Sequence, residues 1–326
     1  MPIGRPGMMP PRRPRIAAVG MASWDQTLVL DRFPSPGTFA TVVASAEGPG
    51  GTTANLAVAL ARLGAGVSLA AAVGDDAAGR AIRATLATGA GIDTAWLRAK
   101  PGERTDVSTI LLAGEPAERT ILWHPGAALT LGDELDLTAI FGHDLVVLDV
   151  TDHALRRWVT DLPAHVNPRT RLLGTLTHVA AANQTDAVEV TFRHDAVVGS
   201  RHDVLSLLGE NDLTACHPII QRLMRGANLR AFVITLGADG AMVVTRNDVV
   251  HVPGYAVATI DPTGAGDAFA AGVAHGMARR LDWPSTLRLA NALGALATRA
   301  VGAQTSLPTR DEVIAMMGDG GAVLGA

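Results

Sequence analysis

The sequence predicts an α/β protein with a doubly wound, mostly parallel sheet and a second, small β-sheet that stands off it as a lid. Short apolar runs typical of buried strands alternate with helical patterns, as expected when helices cover both faces of a parallel sheet. Two β-prone pieces, at about 26–48 and 104–124, interrupt that rhythm. Glycine is abundant and aromatic residues make up only 4% of the chain, which favours closely packed helices over a β-sandwich.

The first half of the chain supplies the predicted lid and one edge of the large sheet. Strands are recognised by short apolar or alternating runs between Gly and Pro turns, and helices by apolar residues three and four positions apart. The pieces on either side of Gly114-Glu115-Pro116 predict a hairpin. We expect strands at 15–20, 38–45, 67–73, 106–112 and 120–124, and helices at 53–63 and 77–89.

The second half alternates more regularly between the two patterns. Its strands are short apolar runs, and its last two helices are longer and rich in alanine. We expect strands at 145–150, 171–176, 196–199, 231–236, 242–245, 249–253 and 256–260, and helices at 152–162, near 204–208, from about 266 onward and at 286–300.

By length alone, 326 residues predict either two domains or one large α/β domain with an appendage. The order of strands and helices favours one large α/β unit with an insertion. Residues 1–14 predict a disordered leader, 15–317 the core with the lid inserted at about 26–48 and 104–124, and 318–326 a loose tail. The leader lacks the apolar segment of a secretory signal, and no apolar run reaches the length of a membrane span. We therefore expect a cytoplasmic protein that does not bind membranes.

Composition excludes several classes of protein. The net charge of −4 and the absence of a basic stripe argue against a nucleic-acid surface. Lys100 is the only lysine, which excludes a phosphate loop built around lysine. Cys216 is the only cysteine, so no intrachain disulfide forms and a reducing compartment fits. The histidines lack the spacing of a zinc site, and we interpret His124 and His178 as packed or surface residues.

The segment 261–272, DPTGAGDAFAAG, is the strongest candidate for chemistry. A glycine-rich turn before an apolar helix exposes the amides of Gly264, Ala265 and Gly266, and these amides with the helix dipole make an anion site. Asp267 lies beside them, where we expect it to stay ionised and to accept a proton from a hydroxyl that attacks phosphorus. The alternative is a simple helix cap.

The run DPTGAGDAF closely resembles the C-terminal signature of the ribokinase-like (PfkB) carbohydrate kinases. The N-terminal signature of that family is recognisable in Gly50-Gly51-Thr52-Thr53-Ala54-Asn55, and related features extend from Gly20 to Val313. The resemblance implies a ribokinase-like fold and ATP-dependent phosphorylation of a primary hydroxyl on a small sugar. It also implies that Asp267 is the base and that the Gly-Ala-Gly turn is the anion hole.

On the sugar side, the resemblance carries over to five positions. Asp25 follows the first strand, where these kinases hold sugar hydroxyls, and a carboxylate accepts two hydroxyl protons at once. The alternative is an ordinary turn residue. Gly50, Gly51 and Asn55 resemble the sugar-contacting glycines and amide. Arg119 resembles a ketohexokinase position on the lid that reaches the substrate or its anionic group, and a solvated hairpin arginine is the alternative.

On the nucleotide side, the strand containing Thr235 and Gly237, with Gly240 after it, resembles the edge that approaches the phosphates. Asn291 matches an adenine-pocket position, and a helix-surface asparagine is the alternative.

One departure from the family concerns magnesium. The family usually has Asn-x-x-Glu where this chain has Ser200-Arg201-His202-Asp203. The family motif orients waters around Mg²⁺ and the phosphates, and Mg²⁺ holds most of its ligands as water. Ser200 and Asp203 keep oxygen ligands but shorten the carboxylate arm. This departure motivates an alternative of another class, a sugar- or nucleotide-binding regulatory protein with weakened catalysis.

The resemblance also implies a monovalent-cation site of the ribokinase kind, with K⁺ as the ion. Such an ion would pin the loop of the anion hole. The positions that correspond to it are Asp261, Thr263, Ala297, Ala300, Gly302 and Ser306.

The front piece, GMASWDQTLVLDRFPSPG, resembles the ketohexokinase and sulfosugar-kinase branch as much as ribokinase. It favours a furanose-form sugar, with a nucleoside as the alternative substrate. A dinucleotide-binding oxidoreductase is disfavoured because no G-x-G-x-x-G follows the first strand. Exposed lid edges need covering, so we also expect a homodimer through the lid.

Overall fold

The computed structural model describes residues 12–114, 117–162, 166–180 and 186–324. The strands are β1 Arg15–Met21, β2 Ser23–Leu30, β3 Val42–Gly50, β4 Gly66–Gly74, β5 Leu97–Lys100, β6 Asp106–Ala113, β7 Glu118–His124, β8 Leu145–Leu148, β9 Arg171–Thr175, β10 Ala196–Ser200, β11 Ala231–Thr235, β12 Ala241–Thr245 and β13 Val249–Val252. The helices are α1 Thr52–Arg62, α2 Ala77–Ala84, α3 Leu137–Ile140, α4 His153–Asp161, α5 Thr177–Ala180, α6 Ala187–Thr191, α7 Arg201–Leu208, α8 Leu213–Met224, α9 Ala265–Arg279, α10 Trp283–Leu296 and α11 Arg310–Met317.

These strands form two sheets within the described ranges. The large sheet has the order β13-β12-β11-β10-β9-β8-β1-β4-β5, and only β12 runs opposite to the other strands, antiparallel to both β11 and β13. The small sheet has the order β3-β2-β6-β7. The predicted fold class, a doubly wound and mostly parallel sheet with a small β lid, is confirmed.

The core lies on both faces of the large sheet. Ile16 and Ala18 of β1 pack into the layer formed by α1, α9 and α10, whereas Ala17 and Val19 pack into the opposite layer. Small residues let α9 approach α10 closely, since a Cβ at Gly272 would lie 2.5 Å from the Cα of Ala290. The abundance of glycine and alanine therefore reflects tight helix packing.

The first lid strand, β2, starts at Ser23, with one residue between it and the end of β1. It pairs in parallel with β6, beginning at Ser23 and Asp106. The junction between core and lid is fixed by hydrogen bonds to Asp76, whose carboxylate accepts from the Thr105 backbone N–H at 2.7 Å and from the Thr105 hydroxyl at 2.6 Å. The inserted lid is thus attached firmly at its base.

Several predicted elements need correction. The strand expected at 256–260 is absent. Three residues of this segment, Ala256, Val257 and Thr259, line a cavity instead. β3 begins at Val42 instead of residue 38. The elements that were not predicted are β2, β5, α3, α5, α6, α8 and α11. The helix expected at 77–89 ends as a π-helical turn, Thr85–Gly89.

The chain ends also differ from expectation. The tail expected to be loose forms a 3₁₀ helix, Gly318–Leu324, in which Leu324 is 2% exposed and accepts a hydrogen bond of 3.0 Å from Arg279. An apolar side chain with a core position to fill orders this segment. Of the predicted leader, residues 1–11 lie outside the described residues. Its last residue, Pro14, is ordered, since its carbonyl accepts a hydrogen bond of 2.9 Å from the Gly66 N–H. In the predicted hairpin turn, Glu115 and Pro116 lie outside them as well.

None of the helices in the described ranges is both long and apolar enough to cross a membrane.

Candidate active site

The glycine-rich turn stands at the start of α9, as the sequence predicts. Gly264 has φ 81°, and a Cβ there would lie 2.6 Å from the carbonyl oxygen of Ala303, so glycine is required. A Cβ at Gly266 would meet no heavy atom within 4 Å, because this residue faces open space. No side chain caps the helix. The amides of the first helical turn are therefore available to an anion.

Two cavities meet at this turn. The first, of about 490 Å³, lies between the lid and the carboxyl ends of the central strands. The second, of about 590 Å³, lies between the β11–β13 edge of the sheet and α10. Thr235 and Gly266 line both cavities. Of the other predicted site residues, the first cavity has Asp25, Gly51, Asn55, Arg119, Ser200, Asp203, Thr263, Gly264 and Asp267, and the second has Gly237, Gly240, Ala265 and Asn291.

Asp267 joins the two sequence signatures. Asn55 Nδ2 donates a hydrogen bond of 2.8 Å to Asp267 Oδ2. Burial, with a smaller contribution from the charges of Asp149 and Asp25, raises the pKa of Asp267 to about 7, while Asn55 and Arg119 act in the opposite direction. From the sequence this carboxylate is expected to stay ionised, whereas a pKa of about 7 leaves it partly protonated at neutral pH. Its pKa lies in the range where a general base is most effective at neutral pH.

Asp25 faces the first cavity from β2. Ser23 Oγ donates to Asp25 Oδ1 at 2.8 Å, and burial raises the pKa of Asp25 to about 6. A Cβ at Gly50 would lie 2.0 Å from the Asp25 carboxylate, and Gly51 has φ 92° with its Cβ position 2.7 Å from the Ser23 nitrogen. The two glycines of the N-terminal signature thus make room for a carboxylate on the lid strand.

Asp149 is a carboxylate that the sequence analysis did not single out. It follows β8 directly, is 1% exposed and lines the first cavity. Thr52 Oγ1 and Thr175 Oγ1 donate to its two oxygens, and Thr53 Oγ1 lies 3.3 Å from Oδ2. Its place could have been the signal, since an acidic residue directly after a buried parallel strand lies at the edge where such folds bind ligands.

The lid contributes one face of β7 to the first cavity. Its lining residues there are Arg119, Ile121 and Trp123. Arg119 Nη1 donates a hydrogen bond of 2.8 Å to the Pro262 carbonyl, so the lid reaches the glycine-rich turn. His178, interpreted from the sequence as a packed or surface residue, also lines this cavity, with its Nε2 atom 3.9 Å from Asp149 Oδ1.

The second cavity is lined mainly by small residues, chiefly glycine and alanine. Gly240 has φ 92°, and a Cβ there would lie 2.2 Å from the Val252 carbonyl oxygen. Asn291 Nδ2 donates to the carbonyls of Val252 at 3.1 Å and Pro253 at 3.0 Å, which fixes the cavity wall to α10. The described lining contains no Asp, Glu, Lys, Arg or His.

Ser200 and Asp203 form a capping box at the start of α7. Asp203 Oδ2 accepts hydrogen bonds of 2.8 Å from both the backbone N–H and the hydroxyl of Ser200. Both residues line the first cavity. The departure from the family motif therefore has a structural role as a helix cap. The described residues contain no group of three or more His, Cys, Asp or Glu side chains that could hold a metal ion.

The segments implied for a monovalent cation come together behind the turn. Asp261 is 0% exposed, and its oxygens accept from the amides of Thr263 and Gly302, both at 2.8 Å. The Ser306 hydroxyl donates to the Ala297 carbonyl. Thr263 Oγ1 is buried and has no hydrogen-bond partner among the described residues. A buried carboxylate with an orphaned hydroxyl nearby fits a cation.

An anion-binding turn between a carboxylate-lined cavity and an uncharged one, on a doubly wound sheet with a lid, defines a small-molecule kinase. The chain belongs to the pfkB family of carbohydrate kinases, which it matches over residues 13–310.

Individual relatives agree with this assignment. The chain is 30% identical over 314 residues to an ATP-dependent ribose-1-phosphate kinase of Halopiger xanaduensis, covering 94% of this chain and 98% of the relative. It is 30% identical to a fructokinase of Klebsiella pneumoniae, covering 81% and 90%. The ribokinase of Arabidopsis thaliana, solved with ribose and ATP, has the same fold, with a TM-score of 0.78, 20% identity and coverage of 94% and 99%.

Proposed function

We propose that this kinase transfers the γ-phosphoryl group of ATP to a primary hydroxyl of a furanose-form sugar held in the first cavity. The observation that carries the proposal is the position of Asp267, a carboxylate with a pKa of about 7 in the turn where the two cavities meet. A hydroxyl from one cavity and a phosphoryl group from the other would meet beside this residue.

In the proposed reaction, Asp267 accepts the proton of the sugar hydroxyl as its oxygen bonds to the γ-phosphorus. The bond between that phosphorus and the bridging oxygen of ADP breaks, and ADP leaves. The amides of Gly264, Ala265 and Gly266 would stabilise the charge on the transferring phosphoryl oxygens. Arg119, which already contacts this turn, would close the lid over it and limit attack by water.

The sugar would be recognised by carboxylates. Asp25 and Asp149 face the first cavity, and each can accept hydrogen bonds from two hydroxyls. Asn55 supplies an amide beside them, Gly50 leaves room for the Asp25 carboxylate, and Gly51 lines the cavity where the ring would lie. This acidic lining suits a neutral polyol.

The nucleotide would occupy the second cavity. Its uncharged lining suits the adenosine portion, with Asn291 in the adenine pocket and Gly237 and Gly240 along the edge of the nucleotide. Thr235, which lines both cavities, and Ser200 would face the phosphates.

Mg²⁺ would be held by the nucleotide phosphates and water, with Asp203 orienting a water, and it would offset charge on the phosphates. K⁺ would be held by Asp261, Thr263 and Ser306 with the carbonyls of Ala297, Ala300 and Gly302, and it would fix the loop of the anion hole. Replacing K⁺ by N-methylglucamine should then lower kcat, and an unchanged kcat would remove this site from the proposal.

A nucleoside kinase is the second candidate. It is favoured by the apolar face that Ile110, Ile121 and Trp123 add to the first cavity, because such a face can stack on a nucleobase. One relative, 29% identical over 290 residues, is an aminoimidazole riboside kinase of Salmonella typhimurium.

A coupled ADP-release screen tests these proposals. The panel is ribose, fructose, 2-keto-3-deoxygluconate, sulfofructose, tagatose phosphate and nucleosides, together with ribose 1-phosphate and aminoimidazole riboside because relatives are named for them. Turnover of a neutral furanose above all others supports the proposal, and turnover of a riboside alone supports the nucleoside kinase. A flat panel with intact ATP binding would overturn both and favour the weakened, regulatory protein.

We also propose a homodimer through the lid. The edge strand β3 and the loop before it expose apolar side chains, among them Val43 at 61% and Phe39 at 80%. Light scattering on the intact chain should give twice the chain mass, and Val43→Glu should give the monomer. A monomeric native chain would contradict the dimer.

A further inference from the structure

A chain of side-chain amides leads from the loop after α10 to Asp267. Gln304 Nε2 donates a hydrogen bond of 3.0 Å to Asn55 Oδ1, and Asn55 Nδ2 donates one of 2.8 Å to Asp267 Oδ2. Asn55 is buried, and these are its side-chain hydrogen bonds within the described residues. Its amide is therefore held from both ends, by a donor on one side and an acceptor on the other.

The two ends of an asparagine amide are nearly identical in shape and opposite in hydrogen bonding. If the Asn55 amide turned over, its carbonyl would face the Asp267 carboxylate and its NH₂ would face the NH₂ of Gln304. Acceptor would then oppose acceptor and donor would oppose donor, each without a partner in a buried place. The ionised Asp267 carboxylate and the N–H of Gln304 therefore both fit the same orientation of the Asn55 amide, and Gln304 holds that orientation by donating to Oδ1.

We propose that Gln304 is a positioning residue that turns the N–H of Asn55, and not its carbonyl, toward the Asp267 carboxylate. Asn55 then stabilises the ionised form of Asp267, which is the form that accepts a proton. Gln304 acts through Asn55 and need not touch the substrate. The inference deepens the proposed function, because it rests on Asp267 as the base.

The loop that carries Gln304 gives this arrangement a second consequence. Gln304 lies between Gly302, whose amide binds Asp261, and Ser306, whose hydroxyl binds the Ala297 carbonyl. The loop that closes the proposed cation site therefore also carries the residue that holds Asn55 in place for its hydrogen bond to Asp267.

Other charged groups act on Asp267 and must be held constant in any test. They are Asp149 after β8, Asp25 on β2 and Arg119 on the lid strand β7. None of them bonds to Gln304, so a substitution at 304 leaves their contacts unchanged.

The test compares Gln304→Met with Gln304→Glu. Methionine keeps the length of the side chain without a donor, so Asn55 loses one restraint but still faces Asp267 with its N–H. Glutamate replaces the donor with an acceptor, and two carboxylates then compete for one NH₂ group. Because the pKa of Asp267 is already about 7, Asp267 is the carboxylate that loses the donor and takes up the proton more readily, so its pKa rises further. Thr305→Glu is the control, since it adds the same charge to the same loop at an exposed position.

The readout is the carboxyl carbon of Asp267 in chains labelled with ¹³C-aspartate, titrated by NMR and assigned by its loss in Asp267→Asn. We expect Gln304→Glu to raise the titration midpoint by about one pH unit or more, since hydrogen bonds to charged groups are worth about 1.5–3 kcal/mol. Gln304→Met should shift it less, and Thr305→Glu should leave it in place. An unchanged midpoint in Gln304→Glu, or an equal shift in Thr305→Glu, would overturn the inference.

This titration needs no substrate, so it separates the inference from the proposed function. If the shifts occur and no sugar is phosphorylated, Gln304 positions Asn55 but the assignment of Asp267 as base fails. Where a sugar is phosphorylated, the Gln304→Glu enzyme should lose about tenfold in kcat near pH 7 and recover toward the native rate above pH 8, with little change in KM. A loss of kcat that is equal at all pH values would contradict a role in orienting the amide.

Discussion

The two cavities that meet at the glycine-rich turn differ in the means by which they hold a ligand. The described lining of the first contains four aspartates, an arginine and a histidine, whereas that of the second has none of the charged residue types. Two of the aspartates have pKa values raised by burial, to about 6 for Asp25 and about 7 for Asp267. The second cavity relies on glycines and backbone groups.

The contrast indicates that the first cavity is suited to proton transfer and the second to ligand binding alone. Burial of several carboxylates costs stability, and this cost is expected where proton transfer and recognition of hydroxyls require such groups. An uncharged cavity can bind the nucleotide without perturbing those pKa values. Substitutions on the first side should therefore change catalysis and sugar affinity while the affinity for ADP is kept.

The largest effect is expected at Asp267. Asp267→Asn keeps the shape and the hydrogen bond from Asn55 but removes the proton acceptor, so kcat should fall by about 10²- to 10⁴-fold, the usual contribution of a general base. The measurement is steady-state kinetics on the substrate found in the screen. The affinity for ADP, measured by calorimetry, should not change. Near-native turnover of Asp267→Asn would contradict the assignment of Asp267 as the general base.

A smaller effect is expected at Asp25. Asp25→Asn removes one charged acceptor that faces the sugar, and hydrogen bonds to charged groups contribute about 1.5–3 kcal/mol, or about 10- to 150-fold in KM for the sugar. The KM for ATP should stay within about twofold, because the proposed adenosine contacts lie in the other cavity. Equal losses for both substrates would show that the two cavities are not independent.

Much of the fold was predictable from the sequence because its core elements are strongly patterned. The apolar runs at 67–73 and 231–236 correspond to β4 and β11 within two residues. β2 was missed because its residues alternate only partly, and its pairing with β6 is set by tertiary contacts 83 positions away, from Ser23 to Asp106. The segment 256–260 has the composition of a strand, but it pairs with none of the described strands because it borders the second cavity.

The site was predictable where a motif carries it. The turn and Asn55 were expected from the two signatures and Asp25 from its position after the first strand, and the structure brings them to one cavity. Asp149 and Gln304 were not expected, because each acts through contacts with residues distant in the chain. The raised pKa of Asp267 was also not expected, since the sequence indicates the favourable helix terminus but not the degree of burial or the neighbouring carboxylates.

Gly266 offers a way to affect the junction without affecting the fold. A methyl group there would meet no protein atom within 4 Å but would enter the space where the two cavities join. Gly266→Ala should therefore keep or slightly raise stability, by up to about 1 kcal/mol, because alanine is the better helix residue. Its kcat should fall about tenfold, the effect of steric overpacking at the transferring group.

Gly272→Ala on the same helix is the matched opposite, since its Cβ would lie 2.5 Å from the Cα of Ala290. It should lower the melting temperature of the protein. If instead Gly266→Ala unfolds more easily and Gly272→Ala does not, the assignment of open space at the junction is wrong.

The smallest effect concerns the pH dependence of stability. Because the pKa of Asp267 is about 7 in the folded chain and close to 3.9 when unfolded, the folded state binds more protons between these values. Below about pH 4 the ionisation of Asp267 does not change the free energy of unfolding. As the pH rises it lowers that free energy increasingly, and the full cost is reached above pH 7. Asp267→Asn removes that cost, so it should raise Tm more at pH 8 than at pH 5 and change it least at pH 4. The difference in Tm gain between pH 5 and pH 8 should be several degrees, since each pH unit between the unfolded and folded pKa values adds about 1.4 kcal/mol of cost. Asp25→Asn should show the same trend, with its gain complete near pH 6, because its pKa is raised less. Asn291→Ala, in the uncharged cavity, should change Tm equally at both pH values. A pH-dependent change in that variant would mean that the two sides share their electrostatics, whereas a pH-independent gain in Asp267→Asn would mean that packing, and not charge, makes the first cavity costly.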